Sequence, residues 1–350
     1  MIVGLGWIDP ADPTDWSVAR GLSGALRRLG HDAIVFGPFK KRTDPSTERR
    51  DGIRVYRCKN AREQFRFASL SGIAVWHMHV FGRDPSVFLN GIRKDHRPLV
   101  STFHLILPDY LPHVGGKKRL AQIIRRSSAV TAVSRFSARQ LREMFPPGFV
   151  RPRVVFNGCP ESRPAGLRPS GNRPFALCVA RLAPYKGIDV LAMAFALAAG
   201  KVPDLDLVVC GEDKTKGGLA RFSERLGLGR RIRFTGNLSP ARVAALLRAS
   251  RFFVLPSRRE NFSLALMEAM RAGKACLSTR AGGIPEMIVH GKSGLLAEPG
   301  GVEELSRSLI RLAADPGLRR RLGAAARARA ARWTWRRAAA EYAALYSRVR

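Results

Sequence analysis

Short apolar or β-branched runs alternate along this chain with longer stretches of helical periodicity, and no other feature restricts the fold as much. Runs separated in this way by helix patterns signal βαβ units, which build parallel sheets. In the first half the runs are Ile2–Gly6, Asp32–Phe36, Ile53–Arg57, Ile73–Met78, Leu99–Phe103, Ala129–Val133 and Val154–Phe156. The clearest helix between them is Ser17–Leu29, which stops at Gly30 as a helix end should. The second half repeats the pattern with Phe175–Ala180, Leu205–Cys210, Ile232–Thr235, Phe252–Leu255, Ala275–Ser278 and Leu295–Ala297. Between the two series, Cys159 to Gly171 is rich in Pro, Gly and Ser and reads as an interdomain linker. The expected fold is α/β: two Rossmann-like domains, residues 1–160 and 161–334, with parallel sheets facing each other across a cleft. Ligands of such sheets bind at the carboxyl ends of the strands, so the cleft is the default site.

Size and composition agree with this plan. The 350 residues suit two domains of ordinary size, and 45% hydrophobic with 25% charged residues is a globular balance. The longest nearly unbroken apolar run, Val190 to Ala199, is well short of the roughly 18 residues that span a bilayer. Met1 leads at once into a strand pattern, so no secretory signal is expected. The five cysteines lack CxxC spacing and lie in apolar stretches, as buried thiols of a reducing compartment do; a cytoplasmic location is expected. An integral membrane protein, a disulfide-stapled module and a coiled coil are excluded.

The charge is unusual. Lys and Arg number 61 against 27 Asp and Glu, for a net charge of +34. Such a field favours anionic partners: nucleic acid, anionic lipid or phosphorylated small molecules. Compositional bias toward Arg explains it equally well, because the basic residues are spread along the chain. No helix-turn-helix, zinc-finger or aromatic RNA-binding signature is present, so no specific nucleic-acid partner is expected.

Three loops of the second half carry candidate chemistry. Arg181 and Lys186 follow the run Phe175–Ala180, where two cations can neutralise a diphosphate whose charge grows as it leaves; two surface cations in a basic protein are the plain alternative. The segment Glu260-Asn261-Phe262-Ser263-Leu264 follows the run Phe252–Leu255. Ser263 is a plausible helix cap, and the free N–H groups around Phe262 to Leu264 would face an anion. Glu268 lies about five residues inside that helix, roughly 7–8 Å along its axis, close to the span from a diphosphate to its ribose hydroxyls. Glu260, before the helix, can meet a sugar hydroxyl; a solvated Glu260 and a salt-bridged Glu268 are the plain alternative. Gly282 and Gly283 follow the run Ala275–Ser278 and let the backbone approach a ligand closely.

In order and spacing these segments resemble the donor half of the family 4 glycosyltransferases, a retaining group with the GT-B fold. The family's two glutamates, separated by seven residues, match Glu260 and Glu268; its Arg/Lys pair matches Arg181 and Lys186; its Gly-Gly-x-Pro-Glu turn matches Gly282 to Glu286. Arg233-Phe234-Thr235-Gly236 and the stretch Gly291 to Leu296 match further. The first half fits more loosely, through Val133-Ser134, Val155-Phe156-Asn157-Gly158 and a histidine closing an earlier strand, Ser101-Thr102-Phe103-His104. The resemblance implies that the first domain takes the acceptor and the second the donor. It places His104 in the cleft near the transferred sugar and acceptor. The tail from Trp333 to Tyr346 is similar to the family's final helix, which crosses back onto the first domain, here residues 335–350. One departure stands out. Many members have a Gly-rich loop after the first strand, whereas this chain has Gly4-Leu5-Gly6 and then Asp12 to Ser17, so backbone from Trp16 and Ser17 at a helix start is expected to replace it.

The implied activity is transfer of a sugar from a nucleoside-diphosphate sugar, UDP- or GDP-linked, to an acceptor hydroxyl with retention. No metal is expected, since the cations do its work. Asp204-Leu205-Asp206 imitates a metal-binding Asp-x-Asp but opens a strand, where Asp is ordinary. His77 and His79 share a strand face and with His104 could form a metal site; the preferred reading puts one of them, His79, in the cleft near the acceptor. The helix Gly116–Arg126 has basic and apolar sides. It can rest on an anionic membrane beside a lipid-linked or cell-envelope acceptor, although a sheet-covering helix with Leu120, Ile123 and Ile124 in the core is preferred. A GT-B sugar phosphorylase, a nucleotide-sugar epimerase and, less favoured, a basic nucleic-acid-binding protein are the competing readings.

Overall fold

A computed structural model describes residues 1–6, 8–38, 46–81, 84–93, 95–104, 111–159 and 173–350. The linker expectation, Cys159 to Gly171, lies outside the described residues from 160 onward. The chain divides into two units, Met1–Pro160 with Trp333–Arg350, and Glu161–Arg332.

In the first unit the described strands are β1 (Ile2–Gly6), β2 (Asp32–Pro38), β3 (Thr47–Arg50), β4 (Ile53–Cys58), β5 (Ile73–Val80), β6 (Leu99–Phe103), β7 (Ala129–Ala132) and β8 (Arg153–Val154). They form one sheet in the order β3-β4-β2-β1-β5-β6-β7-β8. Every neighbouring pair is parallel except β3 with β4. Strand β3 is a finding beyond the sequence expectation. Its residues, Thr-Glu-Arg-Arg, have no apolar pattern because it is a largely exposed edge strand. It is turned back onto β4 by Asp51-Gly52, both at positive φ (50° and 76°), the geometry of a two-residue hairpin turn.

The first helix runs Pro13–Arg28, four residues earlier than expected. Proline suits the first helical position, where no N–H is needed, and Asp12 Oδ1 accepts from the Asp15 N–H at 3.3 Å. The apolar periodicity begins later, which is why the sequence placed the start at Ser17. The last helix, Trp335–Val349, lies against the first. Gly21 permits the contact: a Cβ there would fall 2.2 Å from the Trp335 indole.

The second unit holds β9 (Phe175–Val179), β10 (Asp206–Cys210), β11 (Ile232–Phe234), β12 (Phe252–Leu255), β13 (Cys276–Thr279) and β14 (Leu295–Ala297). All the pairs are parallel, in the order β11-β10-β9-β12-β13-β14. Strands β10 and β12 are almost wholly apolar and buried, as a sheet covered on both faces demands. The chain steps outward one way from β9 to β11, then the other way from β12 to β14. The loops leaving β9 and β12 therefore part at the carboxyl ends of neighbouring strands, which is where open α/β sheets take ligands.

Candidate functional site

The parting loops are tied together at one point. Lys186 Nζ lies 2.5 Å from Glu260 Oε2, and the side chains are only 16% and 12% exposed. Glu260 Oε1 accepts from the Asn261 N–H at 3.2 Å, and the Glu260 carbonyl accepts from the Gly283 N–H at 3.0 Å. Lys186, Glu260, Asn261 and Gly283 thus join the loops after β9, β12 and β13. The sequence assigned Lys186 to a phosphate and Glu260 to a sugar hydroxyl; the structure pairs them, so an arriving anion must share Lys186 with Glu260. Gly187 makes this closeness possible. It adopts φ +67°, and a Cβ there would fall 2.2 Å from the Pro256 carbonyl oxygen.

A second tie was not foreseen. Arg258 grips Asp189 with both ends of its guanidinium, at 2.7 and 2.6 Å, and also donates to the Pro184 carbonyl. The Arg258 N–H donates to the Tyr185 carbonyl at 2.9 Å. Burial alone would raise the Asp189 carboxyl, but the Arg258 hydrogen bonds and charge outweigh it and hold it below the usual value.

The helix Leu264–Arg271 starts where the sequence placed it. Ser263 Oγ accepts from the Leu266 N–H at 3.2 Å, and Gly273 ends the helix at φ +71°. Its first turn leaves backbone N–H groups without intrahelical acceptors and at the positive end of the dipole, so the segment Phe262, Ser263, Leu264 suits an anion. Glu268 lies farther along the same helix, half-buried. Asn261 is 4% exposed, and neither atom of its amide finds a hydrogen-bond partner among the described residues; the same holds for Ser257 Oγ. Arg181 leaves the end of β9 and reaches toward Glu212, Nε to Oε2 4.0 Å, a carboxylate that Lys214 also engages. Glu212 follows Gly211, where a Cβ would fall 1.9 Å from the Ala180 carbonyl oxygen.

In the first unit a ladder of polar rings crosses the core. His77 Nδ1 is 2.6 Å from the Tyr346 hydroxyl and its Nε2 is 2.7 Å from Thr102 Oγ1. Thr102 Oγ1 also meets Thr131 Oγ1 at 2.5 Å and the Tyr342 hydroxyl at 3.1 Å. His79 Nδ1 lies 2.9 Å from His104 Nε2, and the Phe81 ring stacks on His104 at 4.1 Å. Burial pushes the His79 imidazole down to about 3, and pushes His77 and His104 well below the ordinary value, helped by the neighbouring rings.

These placements correct the expectations for His79 and for Trp16 and Ser17. His79 is buried and is spent on His104, so it is not an open acceptor contact. Among the described residues no group of three ligands could hold a metal ion, and both His77 nitrogens are engaged. Trp16 and Ser17 do not stand at a helix start. The Trp16 N–H already donates to the Asp12 carbonyl at 3.0 Å, and its indole donates to Asp51 at 2.8 Å beneath the Arg50 guanidinium. Asp206 accepts from Arg173 and Arg231, both at 3.2 Å, which is a structural role. In the helix Gly116–Arg126, Leu120, Ile123 and Ile124 enter the core while Lys117, Lys118 and Arg125 stay exposed.

Comparison with known proteins bears on the family and the fold. A family described as Glycosyl transferases group 1 matches residues 161–329, and one described as Glycosyltransferase Family 4 matches residues 17–163. The D-inositol 3-phosphate glycosyltransferase of Corynebacterium glutamicum is 33% identical over 175 residues, 48% of this chain and 42% of that protein. The GDP-mannose-dependent alpha-(1-6)-phosphatidylinositol monomannoside mannosyltransferase of Mycolicibacterium smegmatis is 27% identical over 245 residues, 68% of this chain and 64% of that protein. The matched stretch is thus less than two thirds of either relative's length. Among solved structures, sucrose-phosphate synthase from Thermosynechococcus elongatus superposes with a TM-score of 0.85 at 21% identity, covering 100% of this chain and 99% of that one.

Proposed function

The chain belongs to the family 4 glycosyltransferases and has their GT-B fold, and on that premise we propose that it moves a sugar from a nucleoside-diphosphate sugar to an acceptor hydroxyl with retained anomeric configuration. The observation that carries the reading is the knot of Lys186, Glu260 and Gly283 beside the capped start of the helix Leu264–Arg271. Lys186, Arg181 and the N–H groups of Phe262 to Leu264 supply positive charge where a diphosphate leaves. Losing one such donor costs about 3–4 kcal/mol of barrier. Glu268 takes the ribose hydroxyls, and Glu260 turns from Lys186 to a hydroxyl of the donor sugar. With charge of this kind in place, the transfer runs without a metal. His104 touches the transferred sugar or the acceptor.

The acceptor we propose is lipid-linked or part of a cell-envelope glycan, and the enzyme works in the cytoplasm at the inner face of the membrane. The exposed Lys117, Lys118 and Arg125 support this, as does the phosphatidylinositol mannoside named for one relative. Among the described residues no helix is long and apolar enough to cross a bilayer, and the contact proposed is peripheral. Incubation with UDP- and GDP-sugars, with and without acceptor and chelator, tests the reading. Transfer predicts nucleoside diphosphate release that needs the acceptor, survives chelation and gives a product of unchanged anomeric configuration by NMR. A sugar phosphorylase would require phosphate instead, and an epimerase would release no nucleotide.

A further inference from the structure

Among the described residues His79 has one hydrogen-bond partner, and that partner is the histidine assigned to the reacting sugar. The ring is 1% exposed on β5, and its Nδ1 lies 2.9 Å from His104 Nε2. Its Nε2 is buried without a hydrogen-bond partner among the described residues. Both rings are held neutral by burial, so each carries one N–H and one lone pair. Only two arrangements exist. If His79 Nδ1 accepted, its Nε2 would be a buried N–H with no acceptor. If His79 Nδ1 donates, its Nε2 is a bare lone pair. Buried N–H groups left with no acceptor are rare in native proteins. His79 therefore donates, His104 Nε2 accepts, and the His104 proton resides on Nδ1.

Both rings are also fixed in place. His79 stacks on His77 at 4.1 Å, and His77 is pinned by Tyr346 on one side and Thr102 on the other. His104 is backed by Phe81 at 4.1 Å, and its backbone N–H donates to the Val80 carbonyl at 3.0 Å. A histidine buried with one nitrogen unsatisfied costs stability, as groups kept for a functional role often do.

We infer that His79 is a positioning residue that locks His104 in the Nδ1–H tautomer, so that His104 meets its ligand as a hydrogen-bond donor and not as a base. The inference rests on the proposed contact of His104 with the sugar or acceptor. It is tested on the full chain with the active nucleotide sugar, using H79L, H79N, H104A and the H79L/H104A double variant. H79L should lower kcat about 10- to 100-fold, less than the outright loss of a transition-state donor, with donor KM nearly unchanged. H79N, whose amide N–H can occupy the place of Nδ1–H, should recover most of kcat. The double variant should be no worse than H104A alone. In ¹⁵N-histidine NMR spectra, His104 should show a protonated Nδ1 and bare Nε2, giving way to mixed tautomers in H79L. A wild-type proton on Nε2, or full kcat in H79L while H104A is impaired, overturns the inference. Full kcat in H104A would overturn the contact assigned to His104, while the NMR tautomer would still decide the direction of the hydrogen bond.

Discussion

The two units share a doubly wound plan and use their polar side chains in opposite ways. In the second unit the ion pairs Lys186–Glu260 and Arg258–Asp189 lie at the carboxyl ends of the strands, and the sheet beneath is mostly apolar. In the first unit polar rings run through the interior, from His79 through His77 and Thr102 to Tyr342 and Tyr346 of the last helix. One unit keeps its polar groups where a ligand can reach them. The other buries them and pairs them with one another through the core. The difference teaches that a shared topology leaves open whether chemistry is displayed or supported.

The strongest way to break this contrast is to change the displayed side. K186A leaves Glu260 mostly buried beside nothing of opposite charge from Lys186 and removes a cation from the leaving group. Turnover should fall about 10²- to 10³-fold, roughly 3–4 kcal/mol, in steady-state assays with acceptor. A loss under tenfold would take Lys186 out of the reaction.

Acid should separate the units next. The folded His79 value of about 3 lies below the ordinary 6.5, so between these the unfolded chain binds more protons. Stability is then complete above pH 6.5 and declines as pH falls toward 3. At pH 5 His79 alone removes about 2 kcal/mol, and the buried His77 acts in the same direction. In the second unit the lowered Asp189 carboxyl contributes stability above about 3.8 that is lost only as pH falls through its lower folded value. All five tryptophans fall within the residue ranges of the first unit. Tryptophan fluorescence should therefore report unfolding at a higher pH than the last far-ultraviolet circular dichroism signal. Coincident acid transitions would contradict the separation.

Smaller changes sharpen the picture. Y346F removes the hydroxyl from His77 and should cost about 1.5 kcal/mol, visible as a lower urea midpoint in the fluorescence transition with donor affinity unchanged. E268A should weaken binding of UDP or GDP by about 1 kcal/mol, five- to tenfold by titration calorimetry. Unchanged affinity for both nucleotides would remove Glu268 from the ribose.

Local pattern made the strands legible. The apolar runs at Phe252–Leu255 and Leu295–Ala297 are strands end to end, and Ser263 caps the helix that its position promised. Long-range pairing was not legible. Lys186 and Glu260 are 74 residues apart, and His77 and Tyr346 are 269 apart. Nothing in either neighbourhood names the other, because the meeting is set by strand order. A third class of signal was present but unread. Asp51-Gly52 is a hairpin dipeptide, yet the polar Thr47–Arg50 before it concealed the strand it turns. Trp16 failed for a related reason: apolar periodicity marks the buried stripe of a helix, whereas Asp12 and Pro13 mark its true beginning.

Residues Trp333–Arg350 complete the first unit although they follow the second in the chain. During synthesis the second unit can close while the first still lacks the tyrosines that satisfy His77 and Thr102. The order of maturation is then the reverse of the order of translation: the half made first is completed only after the second half has been made, once Tyr342 and Tyr346 are present to pair with Thr102 and His77.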